Sequence, residues 1–401
     1  MNASVKKNLA TQGSDKRIDL LRGFANWFLL LDHIPHNVVN LLTLRNFGFS
    51  GATDVFVFVA GYGATVFFGQ MALDRGFLVT TTRIFRRAWQ LYAAYVVLFV
   101  IYIDIISNVA TRYATTDIFD EYNVTGIVDH PIRTLMHGLL LQAKPLNLDT
   151  LQLFVALMLV FPLLLWSMLR RPNLTLAGSI ALYVAARAFD WSLPAFPSGS
   201  WYFNPFCWQL LAVLGGWFAV DGAKLTAAAH RLSWLRIAAA SYLLLALAIT
   251  VGLQVPALAG LAQHPGLDLL TAGDKENLAF YRVVHLLALA LLFTYFVPRD
   301  WPALQSRWLE PVMKCGEEWL ASFCVGVFLS FAGHFVLITQ PNSIAIQMLV
   351  SASGIAIMTA IAYYISWSRR QDDKSVSARR RAEKSHDAGL AGTLPPQLPA
   401  E

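Results

Sequence analysis

The chain has 401 residues, of which 56% are hydrophobic and only 14% are charged, and its formal net charge is +6. A soluble domain carries about 25% charged residues, so this composition excludes a water-soluble globular protein built around one core. The basic residues lie between apolar runs and near the chain ends rather than on one aromatic-rich stripe, which argues against nucleic-acid binding.

The apolar residues form repeated runs of roughly 20 residues, each long enough to cross a hydrocarbon core of about 30 Å. We predict an all-α integral membrane protein, a bundle of about ten transmembrane helices with the N-terminus and the C-terminus inside. Residues 1–16 predict a disordered cytoplasmic leader, 17–367 the membrane domain, and 368–401 a disordered basic cytoplasmic tail with too little apolar content to fold. The predicted spans are centred near residues 30, 60, 98, 160, 181, 214, 245, 290, 329 and 356.

The placement of positive charge supports this orientation. With the N-terminus inside, most of the 31 Lys and Arg residues fall in inner segments, as the positive-inside rule requires. Two outer segments, 109–149 and 255–280, are long enough to suggest a function. Within the first of them, residues 130–142 predict a short helix that lies in the membrane interface.

The first two spans carry ionisable groups near their outer ends. Such groups are costly inside a membrane and mark functional sites by default. A neutral imidazole can take a proton from a sugar hydroxyl while a carboxylate orients it, so His33, with Asp54 and the adjacent Asp32, is the predicted catalytic group. The alternatives are a capping or water-bonded His33 before Pro35, where the helix ends, and an Asp54 that caps the next helix.

Further polar residues open later spans at the same outer depth. Because several spans share this depth, we predict that they bind an acceptor substrate on the outer side. The alternative is that polar residues gather at helix ends because water is near there. The predicted substrate-binding residues are Asp149, Asn204, Trp208, Gln209, Arg282, His285 and His334.

Arginines lie at the inner start of the third span. The spacing of Arg83 and Arg86 places both on one helix face, and Arg87 follows directly. Guanidinium groups at a helix N-terminus suit phosphate oxygens, so these residues are predicted to bind a phosphorylated donor. The alternative is ordinary inner-side charge in contact with anionic lipid.

Three motifs near the start of the chain resemble the acyltransferase-3 family of membrane acyltransferases. They are RIDLLRG at 17–23 followed by His33, GATD at 51–54 followed by Gly61, and RIFR at 83–86. Ala60 stands where the family usually has Ser before the glycine. Longer stretches, among them NPFCWQLLAVLG and SFCVGVFLSFAGHFV, resemble the OpgC branch of this family.

The resemblance implies a multi-pass enzyme of the bacterial inner membrane. It implies that succinyl-CoA is the acyl donor and that a periplasmic glucan is the acceptor. His33 would be the catalytic histidine, and Arg83 and Arg86, with Arg87 and Arg22, would meet the CoA phosphates. A donor inside and an acceptor outside require the thioester arm to pass through the bundle. Four glycines of the first two spans could leave room for such a channel: Gly23, Gly51, Gly61 and Gly63. The alternative is that they only allow the helices to pack closely.

The remaining roles follow from this mechanism. Trp208 is expected to stack on a sugar face, Gln209 or Asn204 to donate to the oxyanion, and Arg282, or second Arg187, to bind the succinyl carboxylate. The alternative for each arginine is an ion pair with a neighbouring acidic residue. No metal is expected, because the histidines lack the close pairing of zinc sites. Alternative functions are a transporter or flippase for a lipid-linked sugar, and an acetyl-specific enzyme of the same family.

Overall fold

The computed structural model describes residues 3–11, 13, 15–113, 124, 127, 130–143, 145, 147–255, 274–340 and 343–391. The regular structure of these residues is helical, and the predicted all-α class is confirmed for them. The β pairing found among them is limited to two isolated bridges, which join Ala143 to Phe196 and Pro194 to Ser200. The helices are α1 (Ala3–Thr11), α2 (Lys16–Asp32), α3 (Ala52–Arg75), α4 (Phe77–Tyr113), α5 (Pro131–Leu139), α6 (Asp149–Arg170), α7 (Pro172–Ala188), α8 (Pro205–Val220), α9 (Ala223–Arg231), α10 (Ser233–Gln254), α11 (Phe280–Phe296), α12 (Glu310–Glu317), α13 (Trp319–Thr339) and α14 (Ile344–Ala391).

Six of the described helices are long and apolar enough to cross a membrane: α3, α4, α6, α10, α13 and α14. The pair α8 and α9, bent by 86°, would make a seventh span. Every predicted span centre lies inside a helix, but α2, α7 and α11 have 17 residues and α8 has 16. Helices of this length reach about 25 Å against about 30 Å of hydrocarbon, so the count of ten spans is not confirmed. The orientation of the two termini stays a prediction.

Glycines bring α3 and α8 into backbone contact at the centre of the bundle. A Cβ at Gly61 would overlap the backbone of Ala212, and a Cβ at Gly215 would overlap the backbone of Phe58. Small residues at membrane helix interfaces permit this close approach. Helix α3, which has Asp54 in its first turn, is therefore packed tightly against α8.

The other glycines considered for a channel have different surroundings. Gly23 of α2 lies on the backbone of Val312 in α12, so it also serves close packing. Gly63 leaves room for the guanidinium group of Arg22, and Gly51 precedes α3 in a less crowded position. For Gly23 and Gly61, the close-packing interpretation is the one that the structure supports.

The predicted disordered leader instead contains a helix. α1 buries Val5 and Leu9 against the bundle. The Asn8 amide donates to the carbonyl of Val220 at 2.8 Å, and the Gln70 amide donates to the carbonyl of Leu9 at 3.0 Å. Val5 and Leu9 are four residues apart and therefore lie on one face of the helix. The average composition of this short polar segment does not reveal such a face.

The predicted disordered tail also differs. α14 continues as a helix to Ala391, beyond the start of the tail at residue 368. Residues 368–391 contain four Ala and five Arg residues, which have high helix propensity although they give little apolar surface. The remainder of the predicted tail, 392–401, lies outside the described residues.

The long outer segments are described in part. α5 is the predicted short helix, with exposed Ile132, Met136 and Leu140 on or beside it, and its location in the membrane interface stays a prediction. Most of 114–129 and all of 256–273 lie outside the described residues. The described end of the second segment, 274–279, reaches the candidate site.

Candidate active site

His33 follows the last residue of α2. Its backbone N–H donates to the carbonyl of Leu29 at 3.1 Å and caps the helix, and its side chain is partly buried. Buried Leu29 and Leu31 hold this helix end, which we call the outer end of the bundle. The Asn147 amide reaches the His33 carbonyl at 3.5 Å. His33 is therefore presented at a fixed helix end and not on a free loop.

Asp32 lies beside His33 but is bound by the segment that follows α2. Its Oδ1 accepts a hydrogen bond from Thr43 Oγ1 at 2.5 Å and lies 3.5 Å from Arg45 Nε. The side chain is 11% exposed. These contacts fix Thr43 and Arg45 of the following segment against the helix end and hold the Asp32 carboxylate in place.

Asp54 does not orient His33 as predicted. Its carboxylate is fully buried and forms a two-pronged ion pair with Arg282, at 2.6 Å from Nη2 and 3.2 Å from Nε. Asp54 Oδ2 also accepts from the backbone N–H of Gly51 at 2.8 Å, which caps α3. A carboxylate at a helix N-terminus is favoured by the helix dipole, so the capping alternative is the one observed.

Both arginines proposed for a substrate carboxylate already have acidic partners. Arg282 is occupied by Asp54, and Arg187 Nη1 lies 2.7 Å from Asp274 Oδ2. The ion-pair alternative is therefore observed for each. A succinyl carboxylate would have to displace a protein carboxylate from either of them.

The predicted sugar-binding residues on α8 hold protein segments together. Trp208 has no exposed surface, and its Nε1 donates to the carbonyls of Lys275 and Glu276 at 3.1 Å. A ring without an exposed face cannot stack on a sugar, so this role for Trp208 is wrong for the structure described here. The Asn204 amide donates to the carbonyl of Trp191, and the Gln209 amide donates to the carbonyl of Ser179.

The other predicted outer residues lie near this site in separate contacts. His285 Nδ1 lies 3.0 Å from Ser50 Oγ, and its Nε2 faces Gly48 without a hydrogen-bond partner among the described residues. The buried His334 ring centre lies 6.2 Å from that of His36. Asp149 is the first residue of α6 and acts electrostatically on Tyr95 and Tyr202.

At the inner end, the structure divides the predicted arginines into two pairs. Arg83 and Arg86 are exposed on α4. Arg87 lies 5.0 Å over the Trp319 ring, and Arg22 is half-buried beside Gly63 and close enough to Arg87 for mutual repulsion. Two unlike environments are therefore available to a polyanion: a solvated pair and a pair inside the bundle.

A cavity of about 1130 Å³ runs along α2 and α3 and is closed on the other side by α9, α10 and α11. Its walls are mostly apolar, and it extends to Ala52 near the outer end. Its inner end is lined by Asp15, Arg17, Tyr62 and Arg299. Arg299 was not among the predicted site residues, because a charged residue that follows a span is typical of ordinary inner-side charge.

Lys275 is the residue of the outer site that the sequence analysis did not identify. Its ammonium group lies 5.4 Å over each of the Tyr202 and Phe203 rings. Burial lowers the pKa of the Lys275 ammonium group, as does Arg282 nearby, whereas Asp54 opposes the shift. In the sequence, only the length of the segment 255–280 suggested a function for this region. That length does not indicate which residue of the segment has the function.

The apolar helices and the charged groups at both ends of the bundle define a multi-pass membrane protein. Residues 14–370 match the family model described as OpgC protein, and the chain therefore belongs to the OpgC family. Membership implies a membrane acyltransferase that modifies glucans. No curated protein and no solved structure matches the chain.

Proposed function

We propose that the protein transfers a succinyl group from cytosolic succinyl-CoA to glucose hydroxyl groups of a periplasmic glucan in the bacterial inner membrane. The observation that carries this proposal is His33, held at the outer end of α2 beside Asp32, in a chain of the OpgC family. The imidazole is the one proposed catalytic group whose side chain the described contacts leave available for a substrate.

His33 accepts the proton of a glucose hydroxyl as the hydroxyl oxygen attacks the thioester carbonyl carbon. The tetrahedral intermediate then collapses, the carbon–sulfur bond breaks, and the CoA thiolate takes the proton from the imidazolium. The helix cap and Asn147 hold the histidine backbone, and Asp32 precedes His33 in the chain with its carboxylate bound to Thr43 and Arg45. A second route passes the acyl group through the histidine itself.

The donor needs cationic groups at the inner end and a path for its thioester arm. Arg83, Arg86, Arg87 and Arg22 supply guanidinium groups for the CoA phosphates, and the arm is long and thin enough to follow a gap between helices. The apolar cavity beside α2 is a gap of this kind, with Arg17 and Arg299 at its inner end, and its lining contains neither these four arginines nor His33.

Replacing His33 tests the proposal. His33→Ala is expected to lower acyl transfer about 10²–10⁴-fold, because it removes the proton acceptor. His36→Ala is the matched control, since His36 is exposed and lies three residues further along. Mass spectrometry of extracted glucans should show the succinyl mass with the control and its loss with His33→Ala. Normal substitution of glucans in the His33→Ala strain contradicts the proposal.

The apolar cavity also favours a second function, that of a transporter or flippase for a lipid-linked sugar. A transporter moves its cargo without forming an ester. Purified protein that transfers label from succinyl-CoA to glucan excludes this alternative, and an acetyl mass in place of a succinyl mass identifies an acetyl-specific enzyme.

A further inference from the structure

A donor with a free carboxylate brings a negative charge into a site with little water. Such a charge is costly unless a cation meets it. The two arginines nearest to this role are held by Asp54 and by Asp274. The cation that receives the carboxylate must therefore be found elsewhere at the outer end.

Lys275 has the properties that this role requires. Its side chain is half-buried, and among the described residues its ammonium group has no hydrogen-bond or ion-pair partner. The faces of Tyr202 and Phe203 hold it at 5.4 Å, and such contacts attract a cation without neutralising it. An ammonium group in this setting gains more from an anionic ligand than one that is fully solvated.

The backbone of Lys275 is fixed from several directions. Trp208 Nε1 donates to its carbonyl, and the Asn204 backbone N–H donates to the carbonyl of Glu276 at 3.0 Å. The Asn204 amide also binds Asn277 Oδ1 at 2.9 Å. Trp208, expected to stack on a sugar, and Asn204, expected to donate to the oxyanion, therefore position the lysine segment.

The ammonium group lies among the charged groups of the outer site. It interacts electrostatically with His33, Asp32 and Asp54, which belong to the ends of α2 and α3. A carboxylate bound to Lys275 would therefore lie among the charged groups that surround the imidazole.

We propose that Lys275 binds the free carboxylate of the donor acyl group and thereby selects dicarboxylic acyl donors over uncharged ones. This inference rests on the proposed function and names the acyl group that the site accepts. An uncharged acyl group would leave the ammonium group of Lys275 desolvated and without an anion.

The test compares two donors on full-length protein purified in detergent, with glucan as acceptor. The donors are succinyl-CoA and its monomethyl ester, which has the same length but no free charge. Lys275→Met is expected to lower the ratio of kcat/KM for succinyl-CoA over the ester by about tenfold or more, the worth of a hydrogen bond to a charged group. Lys275→Arg should keep a preference for succinyl-CoA, and Lys224→Met, at an exposed lysine of α9, should leave the ratio unchanged.

An unchanged ratio in Lys275→Met overturns the inference while the wild-type activity upholds the proposed function. An equal loss with both donors also overturns it, because the lysine then acts on the reaction or on folding. If the wild type transfers neither acyl group, the proposed function itself fails. Size-exclusion profiles of each variant show whether the compared proteins are folded.

Discussion

At the residue scale, two ion pairs of the same chemistry lie in different surroundings. Arg282 and Asp54 have side chains that are 11% and 0% exposed, whereas Arg187 and Asp274 are 35% and 33% exposed. When one partner of a buried ion pair is removed, the remaining charge has neither water nor an opposite charge beside it. In an exposed pair, water solvates the remaining charge. The pair at Asp54 therefore matters more for stability than the pair at Asp274.

Arg282→Met is expected to destabilise the protein by about 3–5 kcal/mol, because it leaves the Asp54 carboxylate buried and unpaired. Arg187→Met, the matched control, is expected to cost about 0–1 kcal/mol. Thermal unfolding in detergent measures both changes. Equal losses of stability in the two variants would show that the Asp54 carboxylate is solvated when Arg282 is absent, which contradicts this prediction.

At the scale of the elements, the contact between α3 and α8 depends on the absence of side-chain atoms. Gly61 and Gly215 bring two backbones together, and Asp54, in the first turn of the same helix α3, is bound by Arg282 of α11. The motif residues near the N-terminus thus act through helix packing as well as through chemistry. Gly178 of α7, in contrast, has open space around it.

Gly61→Ala is expected to destabilise the bundle by about 1–3 kcal/mol, since the new Cβ must push α8 away. Gly178→Ala should be neutral or stabilising by up to about 1 kcal/mol, because alanine has the higher helix propensity and meets nothing. Both changes in stability are measured as shifts in the thermal midpoint. Destabilisation of similar size in both variants would contradict this account of the packing.

Hydropathy located the helices because an apolar run must be helical in lipid, where backbone groups have no other partner. It did not give the number of spans, because 16 or 17 residues, as in α2 and α8, are compatible with either a short span or a buried helix. The bend of 86° between α8 and α9 has no hydropathy signal. Hydropathy also did not predict α1, because only two apolar residues form its buried face.

At the scale of the whole molecule, orientation links the two halves of the proposed reaction. Reporter fusions test it: alkaline phosphatase is expected to be active when fused after Gln254 and inactive after Arg231 or Ala391, because it folds only outside the cytosol. A cytosolic fluorescent reporter at the same positions should give the complementary result. Activity after Arg231 would reverse the assignment of donor and acceptor sides.

The position of a candidate residue at a helix end was predictable from the sequence, whereas its partners were not. His33 follows from its distance along the first span, and the structure places it at the end of α2. The availability of Lys275 depends on Trp208 and Asn204, which bind its segment from far along the chain. The pairing of Asp54 with Arg282 likewise joins residues whose spacing along the sequence carries no information.

The α10–α11 hairpin is attached to the bundle at both ends while the cavity lies beside its middle. At one end Arg282 pairs with Asp54 and Ser50 donates to the Arg282 carbonyl; at the other, Arg299 binds both Asp15 and Tyr62. The Arg282 and Arg299 contacts lie at opposite ends of α11 and share no partner, so the losses of stability on replacing these two arginines are expected to add.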